Sequence, residues 1–497
     1  METSGAFHNI SLTDYAVFII YLGVSLFIGL KAGGKQKDLK TYLLAGHQMS
    51  WVLISISVLA SLVSGISFLG APAETFTNNL VYLWVILAVW VATPITILVF
   101  LPFFFRLNFY TAYEYLEHRF NRSIRRISSA AFIFRGGMWL ALAMYAPSLV
   151  ISELLGFPLW TAIVFTSVLT LIYTTIGGMR AVIYTDVMQF LVMVIGIGII
   201  MFVALQKIPG GLSGAWEIAE AGGRTQFWDL SFSPEKRMTT FGAFFGGLVI
   251  ALVSLVTDQI AVQRYLTAKS LKESSRALWG KFVISLPLWG IFYFSGLILY
   301  AFYQSHPELL KTLTAPDRVV PHFVSTQLSA PFPGLLIAAL LAATMSSVSA
   351  GVNSLTTATI MDFFYAKNQE TSDEKAEKKR VRIAKYLTLG YGITATCLAL
   401  VIGRLGTLVE ASNKISGFFG GPLLGIFVLG VCIPRSNSQG ALLGALCGFL
   451  AVAAVSYGTE ISFMWYALIG FIVTCTVGSL ASLCFAPPTE KQKEFTL

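Results

Sequence analysis

The sequence has 497 residues, of which 56% are apolar, 13% aromatic and only 12% charged, and its formal net charge is +9. Soluble proteins carry about 25% charged residues, so this chain has too little charge to cover a soluble surface of its size. Long uncharged segments recur along almost the whole chain, and each can cross the roughly 30 Å hydrocarbon layer of a membrane. The composition therefore predicts an all-α polytopic membrane protein and excludes a string of soluble domains.

About thirteen apolar segments are predicted as membrane-spanning helices. They are 13–31, 50–76, 80–105, 127–153, 157–177, 182–206, 239–265, 275–304, 332–362, 383–402, 406–434, 439–457 and 460–486. Lysine and arginine concentrate in the loops that become cytoplasmic if the N-terminus lies outside, which predicts an outer N-terminus and a cytoplasmic C-terminus in the plasma or inner membrane. The basic excess is thus a topology signal, and neither nucleic acid nor an obligate protein partner is expected.

The segments between the spans predict little further structure. The outer loops 207–238 and 305–331 are long enough for short helices, and the charged stretch 363–382 is expected to be a solvated cytoplasmic linker. No GxxxxGK[ST] loop is present, so ATP is not expected to drive the protein directly. The five cysteines lack metal-ligand spacing and are expected to be small core residues. Since no nucleophile–base pair is found either, an enzyme is not expected.

The second predicted helix has small polar residues clustered at its middle. The cluster reads Ala60-Ser61-Leu62-Val63-Ser64-Gly65-Ile66-Ser67 and is followed by Gly70 and Pro72. Such a cluster permits local unwinding, which frees backbone carbonyls as ligands. It equally permits close packing of a neighbouring helix through small residues. This helix alone favours neither interpretation.

The ninth predicted helix carries three serines within four residues, namely Ser346, Ser347 and Ser349. Ser346 and Ser349 are three residues apart and share a helix face. Hydroxyl and carbonyl oxygens suit a hard cation, although a serine in a helix often only bonds back to its own helix. Three such residues at mid-membrane favour a cation site.

Two of the charged residues inside predicted spans are candidate functional residues. Asp186 begins the sixth predicted helix, where its carboxylate could bind a cation, cap the helix or pair with Arg180. Arg135, in the fourth predicted helix, could bind a carboxylate substrate, neutralise an internal acid or reach the cytoplasmic interface. The last alternative is favoured for Arg135, because it lies within about three turns of that interface.

With these residues, the chain resembles the sodium:solute symporter family along essentially its whole length. The resemblance rests on the serine-rich ninth helix and on three further motifs: GGMRAVIYTDVMQ (177–189), TAYEYLE (111–117) and SGFFGGPLLG (416–425). LGAPAE (69–74), YAPSL (145–149) and VQRY (262–265) are similar to the branch that holds the sodium–iodide, sodium-coupled monocarboxylate and sodium-dependent multivitamin transporters.

The resemblance implies a LeuT-like core of two inverted repeats with five helices each. The N-terminal peripheral helix and loop would be 1–49, and the first repeat 50–206. An extracellular loop at 207–238 would separate it from the second repeat, 239–434. Two C-terminal helices and a cytoplasmic tail would occupy 435–497.

The resemblance also implies that Na⁺ is the transported ion. The general sodium site would use backbone oxygens of Ala60, Val63 and Ala343 and the hydroxyls of Ser346 and Ser347. A second sodium site would use Asp186, Ser349 and Gln189. Ala350 stands where this second site has a further hydroxyl in the family.

The candidate substrate residues, some implied by the resemblance and others chosen as pocket residues, lie on five predicted spans. They are Ser64, Ser67, Trp84, Trp139, Tyr145, Gln263, Asn413 and Ser416, with Arg135 as an uncertain addition. Sugar-binding members carry an Asn and a Glu-Gln pair on the second helix, and 61–67 contains neither. A sugar would leave hydroxyls unpaired here at about 1–3 kcal/mol each, so a small anion such as a monocarboxylate is favoured, with sialic acid or a sugar as the alternative.

The expected function is sodium-coupled import of a small solute by alternating access. A sodium-permeable channel, or a sensor that binds a ligand without moving it, would use the same serines and stays open as an alternative. Proton coupling through Asp186 is a narrower alternative.

Overall fold

A computed structural model describes residues 11–34, 38–106, 109–364, 374–402 and 408–497. Within these ranges the secondary structure is helical, apart from one β-bridge between Met49 and Ala268, which confirms the all-α prediction. In chain order the α-helices are α1 (Leu12–Gly33), α2 (Leu39–Leu44), α3 (Trp51–Leu62), α4 (Gly65–Thr77), α5 (Leu83–Ile95), α6 (Leu101–Arg106), α7 (Tyr113–Arg119), α8 (Arg122–Leu155), α9 (Leu159–Gln206), α10 (Gly211–Ala221), α11 (Gly247–Leu252), α12 (Gln259–Leu266), α13 (Leu271–Ser305), α14 (Pro307–Leu310), α15 (Val319–Gln327), α16 (Phe332–Thr359), α17 (Glu374–Ala399), α18 (Leu408–Cys432), α19 (Ser438–Gly458), α20 (Tyr466–Leu483) and α21 (Glu490–Lys493).

Nine helices of the described ranges are long and apolar enough to cross a membrane, or up to eleven if each of two bent helix pairs is one span. The predicted count of thirteen is therefore not confirmed. Helix α9 counts once here, although the sequence predicts two spans for it, and α17 is not among the nine. The first turns of α17 are charged, which lowers its mean hydropathy.

Helix α9 is divided at Gly178, where the sequence predicts the break between its fifth and sixth spans. The φ angle of Gly178 is +59°, in a region that side chains other than glycine disfavour. A Cβ at this position would lie 2.6 Å from the carbonyl oxygen of Tyr42. Glycine is thus required both by the backbone angle and by the close approach of α2.

Two bent helix pairs are the irregular elements of the bundle. Helices α3 and α4 are bent by 63°, and the helical segment Gly242–Thr257, which includes α11, is bent by 49° against α12. The first bend lies in the serine- and glycine-rich cluster, where the sequence permits unwinding. Close packing occurs there as well, because a Cβ on Gly65 would lie 2.0 Å from Cγ of Pro147 on α8. Each bent pair begins one of the two predicted repeats.

Helix α16 is the centre of the bundle, and almost all of its residues are buried. It packs against α3, α4, α8, α9, α12 and α17. Helices α1, α19 and α20 lie at the periphery, where most of their residues face outward. An apolar outward face, such as that of Ile19, Ile20 and Phe27 on α1, suits contact with lipid.

The connecting segments agree with the predictions in part. Helices α10, α14 and α15 lie in the segments 207–238 and 305–331, for which short helices are predicted. Residues 365–373 of the predicted linker 363–382 lie outside the described residues, as do 1–10 of the predicted segment 1–49. The rest of the linker prediction is wrong from Glu374 onward, because the charged residues there form the first turns of α17.

The prediction that the cysteines are core residues is also wrong for three of them. Cys397, Cys432 and Cys484 are exposed, and Cys447 and Cys475 are half-buried. An apolar sequence run does not distinguish a lipid-facing residue from a core residue, since lipid is as apolar as a protein core.

Candidate functional site

The candidate sodium site begins at the bend between α3 and α4. Helix α3 ends at Leu62, and Val63 is extended, with φ −88° and ψ 91°. Carbonyl groups in the last turn of a helix lack the partners that a continuing helix would supply. The Ala60 carbonyl, in this last turn, instead accepts a hydrogen bond of 3.1 Å from the Ser346 hydroxyl on α16. The bend therefore places backbone oxygens against the serines of α16.

The α16 side of the site supplies hydroxyl groups. The Ser346 hydroxyl is also 3.1 Å from the carbonyl oxygen of Ala343 on its own helix. The neighbouring Ser347 hydroxyl is fully buried and has no hydrogen-bond partner among the described residues. A buried hydroxyl without a partner costs free energy, and a hard cation coordinated by its oxygen would remove that cost. The residues of the predicted general sodium site therefore lie on two elements in direct contact.

Asp186 lies on α9, eight residues beyond the break at Gly178. Its Oδ2 atom accepts hydrogen bonds from Ser57 Oγ at 2.5 Å and from Arg264 Nη2 at 2.9 Å. Its Oδ1 atom is buried without a partner among the described residues. The predicted alternatives of a helix cap and of a pair with Arg180 are both wrong, since Asp186 is inside the helix and Arg180 is exposed. The carboxylate is held by an arginine that the sequence did not single out.

The other residues of the predicted second sodium site, Gln189 on α9 and Ser349 on α16, are buried. Ser349 Oγ donates to the Ser346 carbonyl at 3.1 Å. Both polar side-chain atoms of Gln189 are buried without a partner in the described part of the chain. Ala350 is buried and contributes no hydroxyl. Open oxygens are therefore present on Asp186 and Gln189, but Arg264 already compensates the negative charge of the Asp186 carboxylate.

Gln263 is engaged by the protein itself. Its amide nitrogen is 2.7 Å from the Leu43 carbonyl, 2.9 Å from Asn353 Oδ1 and 2.7 Å from Thr357 Oγ1. Its amide oxygen accepts a bond of 3.0 Å from Ser354. Gln263 thus joins α12 to α16, and a substrate would have to replace one of these bonds to reach it.

Arg135 neutralises an internal acid, which is the second of its three predicted alternatives. Its Nη2 atom donates to Asp258 Oδ2 at 2.6 Å, and only 3% of the residue is exposed. The favoured alternative, extension to the cytoplasmic interface, is therefore wrong. Asp258 also caps α12 by accepting from the Ile260 amide at 2.9 Å. The pair ties α8 to the bend of the second bent helix pair.

Four predicted substrate residues lie at the first bend or on α8, which packs against it. Ser64 is buried in the link between α3 and α4, and Ser67 is half-buried in the first turn of α4. Trp139 and Tyr145 are half-buried on α8, which packs against α4 and α16. Their placement is compatible with a pocket beside the sodium site.

The remaining predicted substrate residues lie towards the predicted outer side. Trp84 donates to the Phe227 carbonyl at 2.9 Å and packs against Phe227 and Trp228 of the loop 207–238, so its place is under that loop and not beside the bend. Asn413 donates to the Tyr82 hydroxyl at 2.9 Å. Ser416, one turn further along α18, is half-buried.

An arginine that was not predicted from the sequence as a site residue joins three elements on this predicted outer side. Arg237 makes two bonds to the Glu74 carboxylate on α4, of 2.7 and 2.8 Å, and one of 3.1 Å to Glu410 on α18. Ser462 donates to the Arg237 carbonyl at 2.6 Å. Glu74 lies in the family-like motif LGAPAE (69–74), and this motif was the sequence signal that pointed to it. Its partner Arg237 is 163 residues away in the sequence, so the pair could not be predicted.

Comparisons with known proteins agree with this architecture. The model of the sodium:solute symporter family matches residues 42–448. The chain is 34% identical over 470 residues to sodium-coupled monocarboxylate transporter 1 of Xenopus laevis, which covers 93% of this chain and 74% of that protein. It is 33% identical over 460 residues to the sodium-dependent multivitamin transporter of Oryctolagus cuniculus, which covers 91% of this chain and 72% of that protein.

A solved structure is similar over nearly the full length. It is the substrate-bound outward-open state of a Na⁺-coupled sialic acid symporter, with a TM-score of 0.89 and 28% identity, and the match covers 97% of this chain and 99% of that one. The fold is therefore LeuT-like, as the resemblance implies. With a family model that matches most of its length, the chain belongs to the sodium:solute symporter family, whose members are membrane transporters that carry Na⁺ together with their solute.

Proposed function

We propose that this protein imports a small monocarboxylate together with Na⁺ by alternating access. The observation that carries the proposal is the contact between Ser346 Oγ and the Ala60 carbonyl, 3.1 Å apart, beside the buried and unpartnered Ser347 hydroxyl. In this proposal Na⁺ binds among these oxygens, with Val63 and Ala343 as further backbone ligands. Hard oxygen ligands without nitrogen or sulfur suit an alkali cation.

Sodium binding would couple to the substrate through the two helices that the ion joins. An ion held between α3 and α16 favours the arrangement in which the bend and the serines are close together. If that arrangement binds substrate better, Na⁺ raises substrate affinity, and the substrate must raise Na⁺ affinity by the same factor. The two bent pairs, one at the start of each predicted repeat (50–206 and 239–434), are the elements whose rearrangement would open either side.

The driving force is sufficient for accumulation of the solute. Moving one positive charge inward supplies about 2.3 kcal/mol per 100 mV, and a tenfold sodium gradient adds about 1.4 kcal/mol. Import of one Na⁺ with one monocarboxylate moves no net charge, so the sodium gradient alone drives it and supports roughly a tenfold accumulation of the solute. A second Na⁺ per substrate would make the step electrogenic, so that the membrane potential would also contribute.

A small anion fits the polarity of the candidate pocket better than a sugar does. Gln263 and Asn413, the two amides predicted to contact substrate, are already bonded to the protein. Few groups remain for the hydroxyls of a sugar, each of which would cost about 1–3 kcal/mol if left unpaired. The relative named above as a monocarboxylate transporter supports the same class, whereas the sialic acid symporter supports the alternative of a larger, hydroxylated acid.

A second Na⁺ at Asp186, Ser349 and Gln189 stays a prediction. The open Oδ1 of Asp186 and the open amide of Gln189 support it. Arg264 on Oδ2 and the apolar Ala350 weigh against it. We further propose an outer N-terminus, a cytoplasmic C-terminus and no obligate protein partner or enzymatic activity, as the charge distribution and the residue pattern indicate.

Uptake by the purified full chain in proteoliposomes tests the proposal. An imposed inward Na⁺ gradient should drive saturable accumulation of labelled lactate or pyruvate, and monensin, which dissipates the gradient, should abolish it. Galactose and sialic acid serve as the competing substrate classes. Single-channel currents would support a channel instead, and sodium-dependent binding without accumulation would support a sensor. Accumulation driven by a pH gradient without Na⁺ would contradict sodium coupling.

A further inference from the structure

Lys281 is a basic residue in the middle of the buried face of α13. Only 2% of the residue is exposed, and its ammonium group makes no hydrogen bond or ion pair with any described residue. An ionisable group inside a span is costly unless it is paired or faces a water-filled path, and such groups mark ion or substrate pathways. Lys281 therefore needs an explanation that the sodium site does not give.

Two contacts between α13 and the first bent pair show which residues of α3 and α4 lie beside Lys281. Ser55 on α3 donates to the Ala277 carbonyl at 2.8 Å, and a Cβ on Gly296 would lie 2.2 Å from the Pro72 carbonyl of α4. The residue numbers of the two contacting positions differ by 222 in the first contact and by 224 in the second. Helix α13 therefore runs parallel to the first bent pair, with nearly the same register along its length. Lys281 is four residues, or about 6 Å, beyond Ala277. As Gly280 also faces Ser55, Lys281 is level with residues 56–59 of α3, within about two turns of the bend.

The direction of Lys281 follows from its neighbours on the helix. Gly280 faces Ser55, since a Cβ there would lie 2.5 Å from Ser55 Oγ. Phe282 faces α5, with its ring 4.5 Å from that of Trp90. Each residue advances about 100° around the helix, so Lys281 points between α3 and α5, into the bundle.

The residues on the same face as Lys281 show what lies above and below it. Phe292, three turns towards the predicted outside, packs against Phe68 of α4 at 5.6 Å. Ser274, two turns towards the predicted cytoplasmic side, donates to the carbonyl of Tyr265, at the end of α12, at 2.9 Å. Lys281 therefore lies between the α4 half of the first bent pair and the end of the second, on the predicted inner side of the bend.

The described acidic residues around this part of α13 are already paired. Helices α3, α5 and α12 carry no acidic residue. Asp186 on α9 pairs with Arg264, and Glu74 on α4 pairs with Arg237. Asp258, which caps α12, pairs with Arg135. Among the described residues named here, none offers Lys281 a free carboxylate, so a carboxylate that enters with a ligand could neutralise it without breaking one of these pairs.

We propose that Lys281 binds the carboxylate of the substrate beside the bend, and so selects anionic over neutral solutes. This inference rests on the proposed function and goes beyond it, because it assigns the recognition of the charge to one residue. A buried ammonium without a partner would gain a charge-assisted hydrogen bond from a carboxylate, whereas a sugar offers no charge to compensate its burial.

The test is the variant Lys281→Met, which keeps the length and apolar stem of the side chain and removes the charge. Lys272→Met, an exposed lysine on the same helix, is the matched control, and Lys281→Arg keeps the charge. Lactate uptake under a Na⁺ gradient gives KM, and thermal unfolding with and without Na⁺ reports folding and ion binding. We expect K281M to raise the KM for lactate about tenfold or more, with a melting temperature equal to or above that of the wild type and unchanged stabilisation by Na⁺. K272M should match the wild type, and K281R should retain a substantial part of the uptake.

Two results would overturn the inference. One is lactate uptake by K281M with the wild-type KM. The other is a joint loss of thermal stability and of sodium-dependent stabilisation in K281M, which would make Lys281 a structural residue. The proposed function is tested separately by the wild type: if it accumulates galactose and not lactate, the monocarboxylate proposal fails, and the role of Lys281 fails with it.

Discussion

Asp186 and Arg264 form an ion pair of 2.9 Å between α9 and α12, and neither side chain has any exposed surface. Ser57 on α3 bonds to both partners, donating to Asp186 at 2.5 Å and accepting from Arg264 Nε at 2.9 Å. The pair therefore joins an element of the first predicted repeat to an element of the second, next to the candidate sodium site. Its strength should influence both the stability of the fold and the movement between repeats.

We expect Asp186→Asn to destabilise the protein strongly. Removing one partner of a buried pair leaves an uncompensated charge and typically costs about 3–5 kcal/mol, whereas replacing both partners is often nearly neutral. The double variant D186N/R264M should therefore recover at least half of the loss in reversible unfolding. Arg276→Met, which removes an exposed pair with Glu273, is the control and should stay within about 0.5 kcal/mol of the wild type. Additive losses in the double variant would show that the pair is not coupled.

The double variant Ser346→Ala with Ser347→Ala should abolish sodium-driven uptake. It removes the two hydroxyl ligands of the proposed site, while a small apolar side chain leaves the packing of α16 nearly unchanged. Uptake should fall below about a tenth of the wild-type rate, and stabilisation by Na⁺ in thermal unfolding should disappear, since an ion that binds only the folded state stabilises it by mass action. Thr344→Val is the matched control, because the Thr344 hydroxyl bonds only to the Leu340 carbonyl of its own helix. Gradient-driven accumulation by the serine variant would refute the assignment of these ligands.

The fold could be predicted from the sequence to the extent that hydrophobicity determines it. Helix α16 was predicted as 332–362 and is found at Phe332–Thr359, because a long apolar segment must satisfy its backbone internally in a membrane. The first bend was one of two interpretations left open for the second predicted helix, because a cluster of serine and glycine permits unwinding and close packing alike. The bend at Asp258 was not predicted, since Gly242–Thr257 is almost wholly apolar and a lone aspartate at a helix start is a weak signal.

The partners of the charged residues could not be predicted, because they are distant in the chain. Arg180 was considered for Asp186 on account of its proximity in sequence, yet the partner Arg264 is 78 residues away. Arg135 finds Asp258 at a separation of 123 residues. Pattern and composition indicate which residues need a partner inside a membrane, but only the packing of the helices decides which partner is within reach. The serines of α16 were identified correctly as polar residues at mid-span, and their contact with Ala60 required the structure.

The Arg237 cluster predicts different effects for its two acids. Glu74 is 6% exposed and accepts two bonds from Arg237, so Glu74→Gln should lower the free energy of unfolding by about 2–4 kcal/mol. Glu410 accepts one bond of 3.1 Å from Arg237, against the two that Glu74 accepts, and is more exposed, so Glu410→Gln should cost less than about 1 kcal/mol. Chemical denaturation of the two matched variants measures the difference. Equal costs would mean that the bidentate geometry does not strengthen the link between α4 and the outer loop.

Stability on the predicted outer side should depend on pH through His322. The imidazole lies between Tyr303 and Thr312, with ring nitrogens 2.6 and 2.8 Å from their hydroxyls, and burial lowers its pKa below the usual value of 6.5. As the pH falls below about 6.5, the unfolded chain binds a proton that the folded chain resists, so this residue's contribution to stability decreases towards acid and is restored at neutral pH. The melting temperature of the wild type should therefore fall more between pH 7.5 and 5.5 than that of His322→Gln, which has no titrating group at this position. Parallel pH profiles for the two proteins would exclude His322 as a source of acid sensitivity.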